Sequence, residues 1–553
     1  MSTPTARSTR DLDAVVVGAG FGGLYALYRL RGLGLSVQVF EAGSGVGGTW
    51  FWNRYPGARC DVESIEYSYS FSTELEQEWE WTERYPSQPE ILRYIDHVAD
   101  RFDLRCDIQL DTRVTAAVFD AATGRWSVTT DNGDQVSARY CILATGCLSA
   151  AKTPEVPGLD TFQGDWYHTG HWPHEGVDFT GRRVGVVGTG SSGIQSIPVI
   201  AEQAAQLVVF QRTANFSLPA RNKPLDAEAR AAVKADYPAL RQRARRSFSG
   251  IAVPAPTESA LAVDPAERQR RYEAAWEQGG LMSMATTFAD LIVSKAANDT
   301  AAEFIRSKIR EVVVDPGVAE ALTPANHPFG TKRPCLDTGY FQTFNRDNVT
   351  LVDLRRSPIA EIVPTGIRTT DASYDLDSIV FATGFDAMTG AVLRIDIRGR
   401  GGRSLKEKWA AGPRTYLGIA TAGFPNLFLV TGPGSPSVLS NMVVAIEQHV
   451  DWIADCISFL RAGGIETVEP AIEAEDAWVD HVNQLANGTL FPTADSWYVG
   501  ANVPGKPRVF MPYVGGLPTY RATCDDVAAD GYRGFTLTPR RAAGSAAAAV
   551  DRR

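Results

Sequence analysis

Two stretches of the chain share one pattern of apolar and polar positions. Each begins with a short apolar run, continues through a glycine-rich turn and a segment of helical periodicity, and ends in a second apolar run. The first stretch runs from Asp13 to Glu41 and the second from Arg182 to Arg212. Short apolar runs bounded by turn residues are typical of buried parallel strands, and the intervening helix completes a βαβ unit. The pattern therefore predicts two Rossmann-like units in one chain.

The remaining pattern assigns further segments to these two units. Two apolar runs, which end at Gly146 and Asp386, are typical of late strands that complete a dinucleotide-binding sheet. Within 224–328, Ala, Glu and Arg recur at helical spacing, which indicates a helical insertion. We therefore predict an α/β protein with two Rossmann-like dinucleotide-binding domains and a helical insertion. The predicted bounds are 1–150 and 386–553 for the first domain, 151–223 and 329–385 for the second, and 224–328 for the insertion.

Two charged or low-complexity segments are given structural interpretations. Four arginines cluster in the insertion, at Arg241, Arg243, Arg245 and Arg246. We interpret them as a solvated helix face, with a polyanion-binding patch as the alternative. The segment 538–553 is rich in Ala and Arg, and we predict a disordered tail there.

Composition narrows the class of protein. The 553 residues carry 54 Lys and Arg against 64 Asp and Glu, and this net charge of −10 argues against nucleic-acid binding. Seven cysteines without a CxxC pair exclude a disulfide framework and a zinc cluster. Free thiols are typical of a reducing cytoplasm. The N-terminal stretch has no apolar core of a signal peptide, and no segment is long and apolar enough for a membrane span.

The first glycine-rich turn predicts a site for the adenosine of FAD. Such a turn brings the backbone close to a pyrophosphate and directs the start of a helix toward it. Glu41 follows the last glycine by 18 positions, where an acidic side chain binds ribose hydroxyls. The predicted residues of this turn are Gly18, Gly20, Phe21, Gly22 and Gly23.

The second glycine-rich turn predicts NADPH in preference to NADH. The same count of 18 positions reaches Gln211, which is followed by Arg212 and Thr213. A neutral residue followed by Arg accepts a 2′-phosphate that a carboxylate would repel. The alternative for Arg212 is a surface salt bridge. The predicted residues of this turn are Gly188, Thr189, Gly190, Ser191, Ser192 and Gly193.

Two other chemistries are disfavoured. A disulfide reductase needs a pair of redox-active cysteines, and no such pair occurs in the sequence. His168, His171 and His174 recur at three-residue spacing, but they lie in a predicted loop without further ligands. We therefore predict no metal site.

The segment before the second turn carries a more specific pattern, FxGxxxHxxxWP. Its positions are Phe162, Gly164, His168, Trp172 and Pro173. With Gly47-Gly48-Thr49-Trp50 and Tyr55-Pro56-Gly57, it resembles the type I Baeyer–Villiger monooxygenases, closest to their phenylacetone and steroid monooxygenase branch. The resemblance implies that NADPH reduces FAD, that O2 gives a flavin peroxide, and that the peroxide converts a ketone into an ester or lactone. No nucleic acid, membrane or obligate protein partner is implied.

The resemblance also implies roles for individual residues. Arg333 corresponds to the catalytic arginine of the family and Asp61 to its acidic partner, although Asp61 could instead cap a turn. Lys332 would contact the 2′-phosphate with Arg212. The FAD site would include Thr49, Trp50, Trp52, Tyr67 and Met442. The NADP site would include Gln195, Thr213 and a mobile Trp497. The ketone pocket would be lined by Ser437, Leu439 and Met442. His168 and Trp172 would act at the domain junction.

Two rival functions remain open at this stage. One is an N- or S-oxygenating flavin monooxygenase, against which Trp172, Arg333 and Asp61 argue. The other is a non-catalytic flavin or NADP sensor, against which Arg333 and Lys332 argue.

Overall fold

The computed structural model describes residues 10–152 and 154–540. Its strands are β1 Arg10–Val17, β2 Val37–Phe40, β3 Ile108–Gln109, β4 Val114–Asp120, β5 Arg125–Thr130, β6 Gln135–Leu143, β7 Asp165–His168, β8 Arg183–Val187, β9 Gln206–Gln211, β10 Ser217–Pro219, β11 Cys335–Asp337, β12 Val349–Asp353, β13 Ile359–Val363, β14 Gly366–Thr369, β15 Ser373–Asp375, β16 Ser378–Phe381, β17 Asp396–Arg398, β18 Leu427–Leu429, β19 Ile465–Pro470 and β20 Phe535–Pro539. Its α-helices are α1 Phe21–Gly32, α2 Thr49–Trp52, α3 Thr73–Glu78, α4 Gln88–Arg101, α5 Ser191–Gln203, α6 Ala227–Arg246, α7 Pro265–Gln278, α8 Leu281–Ala285, α9 Lys295–Val312, α10 Pro316–Leu322, α11 Tyr340–Thr343, α12 Gly390–Leu393, α13 Leu405–Lys408, α14 Met442–Ala462, α15 Ile472–Asn487 and α16 Leu517–Ala529.

The first large sheet is built around β1. This strand is parallel to β2 and β6, and Val16 pairs with Val39 on one side and with Ile142 on the other. The strand order is β17-β4-β5-β6-β1-β2-β3, with β18 also beside β6. The central residues of β1 are buried on both faces, as expected where helices cover a parallel sheet. The first predicted βαβ unit is therefore β1, α1 and β2.

The second large sheet is parallel throughout, in the order β12-β9-β8-β16-β7. Its central βαβ unit is β8, α5 and β9, which is the second predicted unit. The edge strand β7 carries part of the FxGxxxHxxxWP segment, and His168 pairs there with Phe381 of β16. The prediction that His168 lies in a loop is therefore wrong. The α/β class with Rossmann-like sheets and an added helical segment is confirmed.

The chain crosses between the two sheets on paired segments. The amide of Lys152 donates to the carbonyl of Gly384 at 3.1 Å, and the amide of Asp386 donates to the carbonyl of Ala150 at 2.8 Å. Both crossings therefore run side by side and are hydrogen bonded to one another. They lie at the predicted boundaries 150/151 and 385/386, and the bounds themselves stay predictions.

The inserted helices pack in two directions. Side chains of α7, α8 and α9, such as Tyr272 and Phe304, join the core under the second sheet. Helix α6 instead contacts α3 and the segment before it, because its buried Arg241 donates to Glu76 of α3 at 2.7 Å and to Ser68 at 2.8 Å. The prediction of a wholly solvated arginine face is wrong for Arg241, since a buried guanidinium requires such a partner. The other three arginines are exposed.

Three further findings concern the described part of the chain. No helix among residues 10–152 and 154–540 is both long and apolar enough to cross a bilayer. Within the same ranges no cluster of His, Cys, Asp and Glu side chains has the arrangement of a metal site. The predicted disordered tail is wrong over Thr538 and Pro539, which pair in β20 with β19; residues 541–553 lie outside the described residues.

Candidate active site

A single cavity of about 1040 Å³ lies between the two large sheets and contains residues from both glycine-rich turns. It brings together most of the residues predicted from the sequence. The predicted residues that line it are Gly18, Gly20, Phe21, Gly22, Glu41, Thr49, Trp50, Trp52, Asp61, Tyr67, Gly188, Thr189, Gly190, Ser191, Ser192, Gln195, Arg212, Thr213, Lys332, Arg333, Met442 and Trp497.

The first glycine-rich turn has the geometry of a pyrophosphate cradle. Gly18 has φ of 102°, and a Cβ at this position would lie 2.6 Å from the carbonyl oxygen of Ala144. A Cβ on Gly23 would lie 1.8 Å from the carbonyl oxygen of Gly18, so Gly23 permits the turn without lining the cavity. Glycine at both positions lets α1 begin directly at the cavity, where its free amides suit an anion. The residues present fit the pyrophosphate of FAD.

Glu41 closes the adenosine end of the same turn. Its buried carboxylate accepts the amide of Ala19 at 2.7 Å and that of Gly43 at 2.8 Å. Burial raises the pKa of Glu41, and the two amide hydrogen bonds oppose that shift. The carboxylate is thus held rigidly at the cavity wall, where its remaining lone pairs can accept ribose hydroxyls.

The second turn repeats this geometry. Gly188 has φ of 109°, and a Cβ there would lie 2.6 Å from the carbonyl oxygen of Ala382. A Cβ on Gly193 would lie 2.2 Å from the carbonyl oxygen of Gly188, whereas Gly190 faces open space. Helix α5 therefore begins at the cavity as α1 does, and the residues fit a second dinucleotide. Gly193, like Gly23, supports the turn without lining the cavity.

Gln211 and Glu41 are structurally equivalent but point in different directions. The amide of Gly18 donates to the carbonyl of Phe40, and the amide of Gly188 donates in the same way to the carbonyl of Phe210. Glu41 and Gln211, which come directly after Phe40 and Phe210, therefore occupy equivalent positions beside the two turns. Glu41 accepts from the glycine-rich turn, whereas Gln211 is buried and its Nε2 donates to the carbonyl of Ala321 at 2.7 Å. The second site therefore presents no side chain from position 211, and Arg212 lines the cavity instead.

Arg212 and Lys332 form a cationic pair at the second site. Burial and the nearby charge of Arg212 lower the pKa of Lys332, an effect that Asp495 opposes. No described carboxylate makes a salt bridge with either side chain, so the alternative of a surface salt bridge for Arg212 is wrong. Two like charges facing one cavity without a partner fit a phosphate group.

Arg333 and Asp61 form the charged centre of the cavity. Arg333 Nε and Nη2 each donate to one oxygen of Asp61 at 2.7 Å, and Nη1 donates to the carbonyl of Val438 at 2.8 Å. Burial opposes the positive charge, but the charge and hydrogen bonds of Asp61 outweigh it, so the pKa of Arg333 is raised. Both oxygens of Asp61 therefore bind this guanidinium, as the predicted role of acidic partner requires.

Aromatic side chains form one wall of the cavity near the first turn. Trp50 and Tyr67 make an edge-to-face contact with ring centroids 5.8 Å apart, and Trp50 Nε1 donates to the Tyr67 hydroxyl at 3.2 Å. Burial raises the pKa of Tyr67 far above its ordinary value. Trp52 makes an edge contact with His171, which also lines the cavity. Such an apolar wall suits the flat ring system of a flavin.

The loop before α14 differs from the prediction in detail. Its residues Ser437, Val438 and Leu439 form one 3₁₀ turn, whose successive side chains point in different directions. Val438 and Met442 line the cavity, whereas Ser437 and Leu439 do not. Leu439 packs into a neighbouring apolar cluster that includes Leu148 and Ile292, and Met442 packs against the same cluster.

The FxGxxxHxxxWP segment supports the cavity from behind. The five motif residues do not line it. Buried His168 accepts the amide of Gly170 at Nδ1, 3.0 Å away, and its Nε2 lies 3.2 Å from the Thr383 hydroxyl. Thr383 does line the cavity. Burial and the neighbouring His171 lower the pKa of His168 to about 4, and Trp172 is buried in the core of the second sheet.

Trp497 lies on a segment that is hydrogen bonded to one of the two chain segments that cross between the sheets. Its indole is partly buried, lines the cavity and packs against the apolar cluster that contains Tyr498. Lys506 Nζ donates to Asp386 at 2.6 Å, and Asn502 Nδ2 donates to the carbonyl of Phe385 at 2.7 Å. The segment therefore covers the cavity and is anchored at its far end.

Sequence reasoning missed several residues of the site. Tyr498 is buried with its hydroxyl near Arg333, and burial raises its pKa to about 12 while that guanidinium lowers it. Val438 contributes a backbone carbonyl, and Thr383 contributes its hydroxyl. Only Tyr498 carried a signal, as the neighbour of Trp497, because a carbonyl acceptor leaves no trace in the residue type.

Comparison with known proteins assigns the class. Residues 15–229, which hold both glycine-rich turns, match the family described as pyridine nucleotide-disulphide oxidoreductase. The seven cysteines are nevertheless all free thiols. A Baeyer-Villiger monooxygenase of Pseudooceanicola batsensis is 46% identical over 525 residues, which cover 94% of this chain and 95% of that protein. A phenazine N-monooxygenase of Lysobacter antibioticus is 43% identical over 95% of this chain and 97% of that protein.

Solved structures give the same assignment. The structure of an oxidized steroid monooxygenase bound to NADP superposes with a TM-score of 0.92 at 58% sequence identity, covering 96% of this chain and all of that chain. Two dinucleotide cradles around one partly buried arginine define a flavin-dependent oxidoreductase with a nicotinamide cofactor. Within that class, the chain belongs to the Baeyer–Villiger monooxygenase family. The predicted family, enzyme class and cofactor pair, FAD and NADP(H), are confirmed.

Proposed function

We propose that this chain inserts one oxygen atom from O2 beside a ketone carbonyl and releases an ester or lactone. The observation that carries the proposal is the Arg333–Asp61 pair, which lies in one cavity with both dinucleotide cradles. FAD, once reduced by NADPH, supplies the oxygen-activating chemistry of the reaction.

The first domain holds FAD. The turn from Gly18 to Gly23 would place its amides around the pyrophosphate, and Glu41 would bind the ribose. Thr49, Trp50, Trp52 and Tyr67 would enclose the ring system. Buried aromatic side chains exclude water from the reacting atoms and so strengthen the electrostatic interactions there.

The second domain holds NADPH. The turn from Gly188 to Gly193 and the hydroxyls of Thr189 and Thr213 would bind its diphosphate and ribose groups. Arg212 and Lys332 would bind the 2′-phosphate, because both cations face the cavity and no described carboxylate lies within salt-bridge distance of either one. This pair is the physical basis of a preference for NADPH.

Arg333 stabilises the negative charge that develops at the reacting oxygen atoms. A guanidinium with a raised pKa stays protonated beside an anion and cannot neutralise it by proton transfer. Asp61 holds the planar group in a fixed orientation through two hydrogen bonds, so little reorganisation is needed when charge develops. Arg333 is thus the catalytic cation and Asp61 its orienting partner.

The remaining predicted residues shape the cavity. Val438 and Met442 would face the ketone, and Trp497 would cover the nicotinamide cofactor. His168 and Trp172 would hold the second sheet against the crossing between domains.

We further propose the domain organisation and setting of the enzyme. Residues 1–150 and 386–553 would form the FAD domain, 151–223 and 329–385 the NADP domain, and 224–328 the helical insertion. Seven free thiols support a cytoplasmic enzyme, since a reducing compartment preserves them. We propose that it acts without an obligate protein partner, on a ketone and O2.

The test is isotopic. Purified holoenzyme is incubated with NADPH, ¹⁸O2 and a panel of linear, aromatic, large-ring and steroidal ketones, and the products are analysed by mass spectrometry. The expected result is an ester or lactone that carries one ¹⁸O atom. Products without ¹⁸O, or no ester from any ketone in the panel, would contradict the proposal.

Heteroatom oxygenation is a second candidate. It is supported by the phenazine N-monooxygenase of 43% identity over nearly the whole chain. The same charged centre would serve both reactions, since each generates negative charge at an oxygen atom. Aromatic N-heterocycles and thioethers in the same panel would detect this activity as N-oxides or sulfoxides.

A further inference from the structure

The side chain of Gln195 joins the second glycine-rich helix to the segment that carries Asp61. Its Oε1 accepts the hydroxyl of Tyr55 at 2.8 Å and the amide of Arg59 at 3.4 Å. Its Nε2 donates to the carbonyl of Arg59 at 3.1 Å. Both lone pairs of the amide oxygen and one of its N–H groups are thereby used within the protein. Gln195 is buried, so these bonds are shielded from water.

Packing reinforces the same connection. Tyr55 and Ala58 belong to the apolar core of the second sheet, whereas Cys60 and Val62 belong to the core of the first. The chain therefore leaves one core for the other within two residues. A Cβ on Gly57, which has φ of 77°, would lie 2.3 Å from the carbonyl oxygen of Gln195. Only glycine allows the segment to approach α5 so closely.

The other edge of this segment is attached to the first domain. The amide of Cys60 donates to the carbonyl of Pro86 at 3.0 Å, and the amide of Gln88 donates to the carbonyl of Ala58 at 2.8 Å. The segment from Tyr55 to Cys60 is thus held between the two domains. Asp61 follows this segment directly and accepts two hydrogen bonds from Arg333.

We propose that Gln195 is a positioning residue of the oxygenation reaction: it fixes Asp61, and through it Arg333, relative to the helix that begins at the second glycine-rich turn. This inference rests on the proposed function and changes the role predicted for Gln195, from cofactor ligand to connection between domains. When the bonds of Gln195 are lost, the segment and Asp61 can move independently of α5. A displacement of about 1 Å at a catalytic group costs up to about a hundredfold in rate.

The expected consequence is uncoupling. Without a fixed Arg333 the developing charge is less stabilised, so O2 is reduced to hydrogen peroxide while NADPH is still consumed. Gln195→Met keeps the side-chain length and removes all three hydrogen bonds. Tyr55→Phe removes only one of them and should have a smaller effect of the same kind. Gln203→Met is the matched control, because Gln203 lies on the same helix and accepts the amide of Phe179 at 3.2 Å, away from this junction.

Four quantities are measured for each variant. They are the ester formed per NADPH at saturating NADPH, the Kd of NADPH for the oxidised holoenzyme, the melting temperature, and amide hydrogen exchange over residues 55–62 in the apoprotein. For Gln195→Met we expect about a tenfold fall in ester per NADPH, a Kd within threefold of the wild type, and faster exchange over 55–62. Gln203→Met should match the wild type in ester per NADPH, in the Kd of NADPH and in hydrogen exchange over residues 55–62.

Two outcomes would overturn the inference. A rise of tenfold or more in the Kd of NADPH, with normal ester per NADPH at saturation, would make Gln195 a cofactor ligand. If Gln195→Met and Gln203→Met changed the ester yield and the hydrogen exchange equally, Gln195 would contribute only to the stability of the helix. Failure of the wild type to form ester or N-oxide from any substrate would instead contradict the proposed function, and the exchange data on the apoprotein would still decide whether Gln195 holds the segment.

Discussion

Arg333 and Asp61, 272 residues apart in sequence, face one another through two parallel hydrogen bonds of 2.7 Å. Asp61 follows the segment shared by the two domain cores, whereas Arg333 follows the helical insertion. The pair therefore joins two segments that are distant in the sequence. A planar guanidinium held by a carboxylate at one edge and a backbone carbonyl at another has a single orientation.

Replacing Arg333 should separate ester formation from cofactor binding. Arg333→Ala should lower the ester-forming rate about a hundredfold to a thousandfold, because one preorganised electrostatic contact at the reacting atoms is lost. FAD should remain bound, since its cradle lies elsewhere in the cavity, and NADPH oxidation should yield hydrogen peroxide. Ester, peroxide and melting temperature are measured on one preparation.

Arg333→Lys is the informative companion to that variant. An ammonium group cannot donate in parallel to both oxygens of Asp61, so little ester formation should return. Normal ester yield from folded Arg333→Ala protein would rule out the catalytic role.

The cationic pair at the second site should determine the choice of nicotinamide cofactor. Arg212→Ala should raise the Kd of NADPH about tenfold to a hundredfold, the value of a charge-assisted contact to phosphate, and leave that of NADH nearly unchanged. Titration of the holoenzyme with both nucleotides measures this. Equal losses for NADPH and NADH would show that Arg212 does not contact the 2′-phosphate.

Gln211 should not act as a switch of cofactor preference. Gln211→Glu introduces a carboxylate at the position equivalent to Glu41, but the side chain points to the Ala321 carbonyl and away from the cavity. We expect a loss of about 1–3 kcal/mol in the free energy of unfolding, because an acceptor replaces the donor, and an unchanged ratio of NADPH to NADH affinity. A gain in NADH use would show that the side chain reaches the ribose.

The loop before α14 should divide into residues that affect specificity and residues that affect stability. Met442→Ala should change which ketones are oxidised, because Met442 lines the cavity. Leu439→Ala should lower the melting temperature with little change in the ketone profile, because Leu439 packs in the adjacent cluster without lining the cavity. Product analysis over the ketone panel and thermal unfolding of both variants test the difference. The reverse pattern would place the pocket on the other side of the loop.

Buried His449 should make the protein less stable in mild acid. Its Nδ1 accepts the amide of Thr431 at 3.1 Å, and burial lowers its pKa to about 4. A histidine with a lowered pKa stabilises the fold above its unfolded pKa of about 6.5, and that contribution is lost as the pH falls toward the folded value. Between pH 7 and pH 5 this one group should account for about 2 kcal/mol of lost unfolding free energy.

The measurement is denaturant unfolding at both pH values. His449→Gln should lose less stability between pH 7 and pH 5 than the wild type does, and His481→Gln, at an exposed position, should behave as the wild type. An unchanged pH dependence in His449→Gln would show that His449 is not the responsible group.

Local chemistry made much of this protein readable from its sequence. Glycines at Gly18 and Gly188 are required by positive φ and by backbone contacts within the turn, so the amino-acid pattern reports the geometry directly. Apolar runs reported the central strands for a similar reason, since a strand buried on both faces admits few polar residues. The two turns and the residues that follow them indicated the two cofactors, and the family motifs then indicated Arg333 and Asp61.

Other features depend on contacts between distant segments. Counting positions along the sequence correctly identified Gln211 as the equivalent of Glu41 in the second unit. Only the packing of the insertion, however, directs the side chain of Gln211 toward Ala321. Arg241 had the sequence context of a solvated arginine, and only the position of α6 buried it against Glu76. The 3₁₀ turn at Val438 likewise decided which side chains reach the cavity.

The sequence by itself determined the two dinucleotide cradles, the order of the units along the chain and the residue types of the charged centre. The tertiary structure alone decided how these parts are connected: that the segment from Tyr55 to Cys60 is shared by two cores, and that Gln195 binds it. The physical reason is that a turn is specified by neighbouring residues, whereas a side-chain hydrogen bond between domains depends on where two surfaces that are distant in the sequence meet.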